Sequence, residues 1–411
     1  MIILNYKRLF FPVFTVLVLI CIIAVNSLQK TNQEVLTVNH STADTAPKST
    51  SDTPTKSDEM RGVWITYMEL SMENEEDKSE NRFTEKFNEI ADECKNFGFN
   101  TLIVQVRPFC DAVYESDYFP WSHILSGTQG KNPEYDALEI ICKICNEKNL
   151  NLHAWINPYR ISISKTPSKL CDDNPYILNN SLGIETESGI ILDPSNEDAR
   201  KLIIDGVTEI VANYDIDGIQ FDDYFYPTDI GSNDSTQYEA YINSVGESKS
   251  MSIDNWRKAN VNMLICETYR AIHDTKDNVV FGISPQGNID NNEKLYADVK
   301  SWCSCNGYID YICPQIYFSL ENPALSFEKS LESWSSIEYA ENVELYIGVA
   351  GYKAGTDDDE GTWLDENDIL AQEYNIIKND GKAKGFMFYS YVSLGEDIAE
   401  AEINNLKKAL Y

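Results

Sequence analysis

"DGIQFDDYFYP", residues 217–227, sets a short apolar run against two adjacent acids, with four aromatic residues and a proline crowded around them. Side chains alternate faces along a β-strand. Read that way, Ile219 and Phe221 share one face, while Gly218, Gln220 and Asp222 share the other. An apolar face suits a covering of helices, and a polar face ending in a carboxylate suits the inside of a barrel near its open end.

The same kind of run recurs along the chain. Eight β-like stretches are legible: "GVWITYM" (62–68), "NTLIVQVR" (100–107), "LNLHAWIN" (150–157), "IDGIQFDD" (216–223), "VVFGISPQ" (279–286), "YIDYICPQIY" (308–317), "ELYIGVAG" (344–351) and "GFMFYSY" (385–391). Between them, segments such as "FTEKFNEIADECKNFG" and "NEDARKLIIDGVTEIVANY" carry apolar residues at i, i+3/i+4 spacing, as amphipathic helices do. Eight strands alternating with helices predict an α/β fold, a (β/α)8 TIM barrel. The rival is an open doubly wound sheet, but no G-x-G-x-x-G follows any strand.

Strand parity places polar residues at the barrel mouth. In the second run Val104 and Val106 face the helices, leaving Gln105 and Arg107 inward. Asn157 follows Trp155 in parity, Gln286 follows Ser284, and Tyr317 follows Gln315. Polar inward positions thus gather at the C-terminal ends of strands two to six, the catalytic end of such a barrel.

The ends and the composition narrow the context. Lys7 and Arg8 precede "LFFPVFTVLVLICIIAV" (9–25), an uncharged run of 17 that reads as a signal peptide or, uncut, a membrane anchor. Residues 26–59 contain 12 Ser or Thr and neither Gly nor an aromatic, the composition of a disordered linker. Residues 60–411 follow as one catalytic domain with no second linker. The expected location is therefore extracellular or at the cell surface, with membrane contact only through the N-terminal segment. The formal charge is −33, and −35 once residues 1–25 are removed, with 31 basic residues left against 66 acidic. Such a surface disfavours nucleic acid and anionic lipid. Ten cysteines include C-x-x-C at Cys142/Cys145 and C-x-C at Cys303/Cys305, with no histidine near either pair. Buried thiols, or at most one disulfide, fit better than a metal site. No cofactor is called for.

Asp222 is the leading catalytic candidate, a general acid whose pKa desolvation among Phe221, Tyr224 and Tyr226 would raise. Asp223 has the opposite parity and begins the loop, where it caps a turn, binds a hydroxyl or is hydrated. Glycoside cleavage usually employs a second carboxyl group. Asp111, after strand two, and Glu69, after strand one, are possible sources, and the seventh strand ends in "GVAGYKAG" without one. The acidic run 357–360 reads as a solvated loop. A mechanism needing a single protein acid therefore stays open. Trp64, Trp121, Trp155, Tyr159, Tyr224, Tyr226, Tyr317 and Tyr389 are candidates for stacking on sugar rings. Arg107, Asn157, Gln286, Asn288 and Gln315 are candidates for binding hydroxyl or N-acetyl groups, and His153 reads as core.

The stretches "RGVWIT", "NTLIVQVRPFCDAVYESDYFPWS", "GTQGKNPEYDALEIICKICNEKNLNLHAWINPYR", "DIDGIQFDDYFYP", "GISPQGN" and "ICPQIYF" resemble, in order, the bacterial glycosyl-hydrolase-like family 10 over most of residues 60–395. The resemblance implies a TIM barrel in an exported, often wall-associated protein, with cleavage of peptidoglycan glycan as the activity. It places the family's motif acid on Asp222 beside Asp223, its arginine and aspartate after strand two on Arg107 and Asp111, and its N-P-Y-R turn on Asn157 to Arg160. Cys110 departs from the small residue usual there.

The expected function is cleavage of a β-linked N-acetylated glycan, with Asp222 protonating the glycosidic oxygen. A lytic transglycosylase needs no second carboxylate as nucleophile, whereas a hydrolase uses Asp111 or Asp223 to activate water or attack carbon. Two rivals stand beside it. D-G-I-Q-F-D also resembles the strand-four nucleophile motif of amylase-like barrels, which act on α-glucans. A carbohydrate-binding wall protein without catalysis would use the same aromatics.

Overall fold

The computed structural model describes residues 59–411, so the predicted signal or anchor (1–25) and all but the last residue of the predicted linker lie outside the described residues. In chain order the strands are β1 (Met60–Ile65), β2 (Thr101–Arg107), β3 (Asn151–Ile156), β4 (Arg160–Ile163), β5 (Gly183–Glu185), β6 (Gly189–Leu192), β7 (Gly218–Phe221), β8 (Val280–Ile283), β9 (Tyr311–Ile312), β10 (Glu344–Ala350) and β11 (Ala383–Tyr389). Eight of them close into a parallel barrel in the order β1-β11-β10-β9-β8-β7-β3-β2, the expected (β/α)8 architecture. The other three form a small antiparallel sheet, β4-β6-β5, inside the long connection after β3.

Local chemistry explains the elements. The helix Glu80–Phe97 starts where the Ser79 side chain accepts the Arg82 N–H, and ends at Gly98, whose φ of 116° suits a residue without Cβ. Its buried stripe, Phe83, Phe87, Ile90, Ala91 and Cys94, covers the barrel. β9 is only two residues long; Cys313 still donates its N–H to Ile283 O at 2.8 Å, and Pro314 after it has no N–H to continue the ladder. Pairing resumes as single bridges from Gln315 to Gln286 and to Gly348. No helix among the described residues is long and apolar enough to cross a membrane.

The barrel separates two cores. Val104, Val106, Ile219 and Phe221 join the large layer under the helices. Inside, Trp64, Ile103, Trp155, Tyr311, Cys313, Tyr346 and Met387 fill the bore. Large inward rings need facing glycines. A Cβ on Gly218 would come within 2.9 Å of the His153 ring, and one on Gly282 within 2.0 Å of the Tyr311 ring. His153 is a core residue, as expected, its Nδ1 2.9 Å from the Tyr311 hydroxyl. Gly282→Ala is expected to destabilise the fold by about 3 kcal/mol through overpacking. Gly395→Ala, with nothing near the added carbon, is the control; equal thermal melting of the two variants would contradict the packing argument.

The nine described cysteines are free thiols, and burial pushes Cys142 and Cys303 up to about 12. At that level a thiol is not a nucleophile at neutral pH.

Candidate active site

The β7 ladder ends at Phe221, paired with Ile156 of β3 and Ile283 of β8. Beyond it the backbone leaves the extended pairing, and both acids enter the mouth. Asp222 turns towards β3, where its Oδ2 accepts a hydrogen bond from Asn157 Nδ2. The Tyr224 backbone N–H donates to Oδ1 at 3.3 Å, and Arg160 Nη2 stands 4.0 Å from Oδ2. Asp223 turns the other way: its Oδ2 accepts from Gln286 Nε2 and its Oδ1 accepts from Gln315 Nε2 at 3.2 Å. This corrects the expectation that Asp223 points away from the mouth. Alternation applies only while a strand stays in the ladder, and these two residues lie past its last rung.

Both carboxyl groups are buried. Burial is the main cause that raises Asp222 to about 7, and the adjacent Asp223 adds to it. The Arg160 guanidinium, the Tyr224 amide and the Trp155 indole act in the opposite direction. Asp223 is also raised by burial, against the amides of Gln286 and Gln315. Two adjacent carboxyls in a low-dielectric site do not ionise independently, so the charge on one makes the other hold its proton more tightly. One proton donor and one proton acceptor side by side are what acid–base cleavage of an acetal requires.

Asp223 lies at the meeting of two walls, and Asp222 is buried beside it. A cleft of ≈ 630 Å³ runs from Asp223 and Gln286 outward between the β4–β6 sheet, with Ser162, Ile163 and Ile191, and the loop Tyr224 to Asp229. The connections after β3 and after β7 therefore both contribute walls. Tyr224 lies at the rim, half exposed, with the Arg160 guanidinium 4.3 Å from its ring centroid. At the ends of β9, β10 and β11 the rings of Tyr317, Tyr352 and Tyr389 meet with centroids 5.6–5.9 Å apart. Tyr389 is close enough to Asp222, and Tyr317 to Asp223, for their charges to interact. Flat aromatic faces beside amide donors suit the apolar faces and hydroxyl edges of sugars.

The sequence profile of the glycosyl hydrolase-like 10 family matches residues 59–365. The chain belongs to that family. Among similar proteins is glycosyl hydrolase YngK of Bacillus subtilis, 34% identical over 82% of this chain and 69% of the relative. Glycosyl hydrolase DigH of Escherichia coli is 31% identical over 64% of this chain and 65% of its own length. This chain thus spans about two thirds of these relatives. The glycoside hydrolase domain of PgaB (BpsB) from Bordetella bronchiseptica shares the fold at a TM-score of 0.56 and 11% identity, covering 84% of this chain and 98% of that one. The α-L-fucosidase isoenzyme 2 of Paenibacillus thiaminolyticus gives the same score at 15% identity, over 85% of this chain and 49% of that one. Membership of the glycosyl hydrolase-like family makes this a glycosidase-type enzyme acting on carbohydrate.

Several expected site residues of this family member lie elsewhere. Arg107 does not reach the mouth. A bulge between Gln105 and Arg107 shifts the β2–β3 register and turns Arg107 to the helix side. There its guanidinium lies 4.4 Å from the Phe119 ring, beside Gly206 of the helix Glu197–Asn213. Asp111 has no exposed surface; its Oδ2 accepts from Gln129 Nε2 at 2.9 Å and lies 3.4 Å from His123 Nδ1, so it pins the loop after β2. Glu69 sits in the short helix Tyr67–Leu70 and accepts from Ser390 Oγ at 2.9 Å and the Val392 N–H at 2.7 Å, joining the connections after β1 and β11.

Tyr159 is 1% exposed and belongs to the outer core, not to a sugar-facing wall; Tyr226 is as deeply buried, though it also lines the cleft as part of the Tyr224 to Asp229 loop. Trp64 is barrel filling whose Nε1 donates to Gln220 Oε1 at 2.6 Å, and Trp155 forms the floor next to Asp222. Trp121 lines a separate surface groove with Tyr118 and Leu178. Asn288 accepts the Asp290 N–H at 3.1 Å and caps the following turn. In the acidic run, Asp359 is a hub, accepting from Lys353 Nζ at 2.8 Å and from Ser319 N and Trp363 Nε1 at 3.0 Å. Arg160 and Tyr352 join the site beyond the residues expected there. The N-P-Y-R turn carried a signal for Arg160; Tyr352 follows the seventh strand, where the absence of a carboxylate gave no reason to look.

Proposed function

We propose that this chain is an exported enzyme that cleaves a β-linked N-acetylated glycan, most specifically peptidoglycan, with Asp222 as proton donor and Asp223 as its partner carboxylate. The observation that carries the reading is the pair of adjacent carboxyls at the end of β7, each held by its own side-chain amide donors, with Asp223 lining an open cleft. The mouth offers neutral amides and tyrosine faces, which suit an N-acetylated chain. The apolar segment 9–25 behind two cations supports export to the compartment where such a polymer lies.

In the transglycosylase form, Asp222 gives its proton to the glycosidic oxygen as the bond from C1 to that oxygen breaks. The 6-hydroxyl oxygen of the same sugar bonds to C1, and Asp223 takes the hydroxyl proton. The products are an anhydro-sugar end and a free hydroxyl on the leaving sugar, with no water consumed. The proton on Asp223 then passes back to Asp222, which resets the pair. In the hydrolase form water takes the place of the 6-hydroxyl and a reducing end results.

Digestion of purified cell wall by the full chain, followed by mass spectrometry of the product ends, tests the reading. Anhydro-muramic ends support the transglycosylase and reducing ends the hydrolase. Cleavage of starch but not wall, or wall binding with no product, overturns the proposal.

A further inference from the structure

Gln105, on β2 and buried, touches neither acid, yet its hydrogen bonds fix how one of them is held. The Tyr67 backbone N–H donates to Gln105 Oε1 at 2.9 Å. Gln105 Nε2 donates to Asn157 Oδ1 at 2.6 Å, and Asn157 Nδ2 in turn donates to Asp222 Oδ2. Side-chain amides can ordinarily be reversed end for end, since oxygen and nitrogen differ little in shape. Here the reversal is blocked at its origin. A backbone N–H only donates, so the Gln105 oxygen must face it and the Gln105 amide must face Asn157. The Asn157 oxygen is thereby occupied, and its N–H group is the one left for Asp222.

We propose that Gln105 is a positioning residue: through Asn157 it presents a fixed N–H donor to Oδ2 of Asp222, so that the transferable proton is carried on Oδ1. The long 3.3 Å contact from the Tyr224 N–H leaves Oδ1 the more weakly held oxygen. A proton confined to one oxygen is aimed, and aim in proton transfer is worth as much as acidity. The inference rests on reading Asp222 as the proton donor. The other charged or titratable groups facing Asp222 are Asp223, Arg160, Tyr224 and Tyr389, and none of them contacts Gln105 in the relay.

Gln105→Met keeps the volume and removes the relay, freeing Asn157 to turn. A donor to a carboxylate favours its ionised form, so its loss raises the group's pKa. The Asp222 carboxyl, followed by ¹³C NMR in the intact chain, is therefore expected to titrate about one pH unit higher in the variant. The alkaline limb of kcat against pH should move with it, kcat should fall about ten-fold, and KM should stay near its original value. In an Asn157→Leu background, Gln105→Met is expected to add no further displacement, because its effect passes through Asn157. If the Met variant does not fold, Gln105→Asn serves, since the shorter arm cannot span Tyr67 and Asn157 together. An unmoved Asp222 titration in a folded variant, or a full second displacement in the Asn157→Leu background, overturns the proposal. A displaced titration in a chain that cleaves no glycan leaves the relay standing and overturns the functional reading instead.

Discussion

Asp222→Asn is expected to reduce glycan cleavage by about a thousand-fold or more while leaving the barrel intact. Removing a positioned general acid typically costs two to four orders of magnitude, and here the same change also ends the electrostatic coupling of Asp222 to Asp223. The variant side chain has nearly the same shape, and its oxygen still accepts from Asn157 Nδ2, so circular dichroism should be unchanged. Asp223→Asn should also be severely impaired. The double variant should be little worse than either single one, because groups that act as a unit lose their function together. Wild-type cleavage should decline as pH rises through about 7, where the raised carboxyl loses its proton, and again in acid once both groups are protonated. Rates measured on a soluble glycan across pH 4–9 check this, and undiminished turnover by Asp222→Asn would remove Asp222 from the mechanism.

The same substitution is expected to stabilise the protein at alkaline pH. The folded-state pKa of Asp222, about 7, lies above the ordinary 3.8, so the folded chain holds a proton that the unfolded chain releases. Stability associated with this group is therefore fully present below about pH 4 and lost as pH rises through about 7. Above that, keeping a buried carboxylate ionised costs on the order of 2–4 kcal/mol, since each ten-fold change in a proton-binding constant is worth roughly 1.4 kcal/mol. Asp222→Asn has no such cost. Its melting temperature should exceed that of the wild type at pH 8 by several degrees, with the difference closing near pH 4. Equal melting at pH 8 would mean that Arg160, 4.0 Å away, neutralises the carboxylate fully and that burial does not dominate. The inactive variant being the more stable one is the usual relation between an active site and its fold.

The legibility of the site followed the regularity of the backbone. Asn157, Gln286 and Gln315 were readable as inward polar residues, and all three bond to the acid pair. Two predictions failed where the chain left the regular ladder. Arg107 failed at a one-residue bulge, and Asp223 failed one residue further past the end of β7 than Asp222. Tyr159 failed because an aromatic near a strand end has two apolar layers to join, and proximity in sequence does not choose between them. Glu69 and Asp111 are acids at the right end of the barrel, and both are held by loop hydrogen bonds.

The sequence by itself determined the periodic features. Alternation with period two and amphipathic spacing near 3.6 residues separate strands from helices, and their eight-fold succession specifies the barrel and the end at which its polar residues gather. The acid pair, too, was visible as two letters. Only the tertiary structure decided what the two letters do. Whether neighbouring carboxyls diverge or converge depends on a turn beyond the ladder, and on amide donors that arrive from β3, β8 and the segment after β9. Their hold on protons depends on burial among segments distant in the chain. These are contacts between residues up to 92 positions apart, and local periodicity carries no information about them.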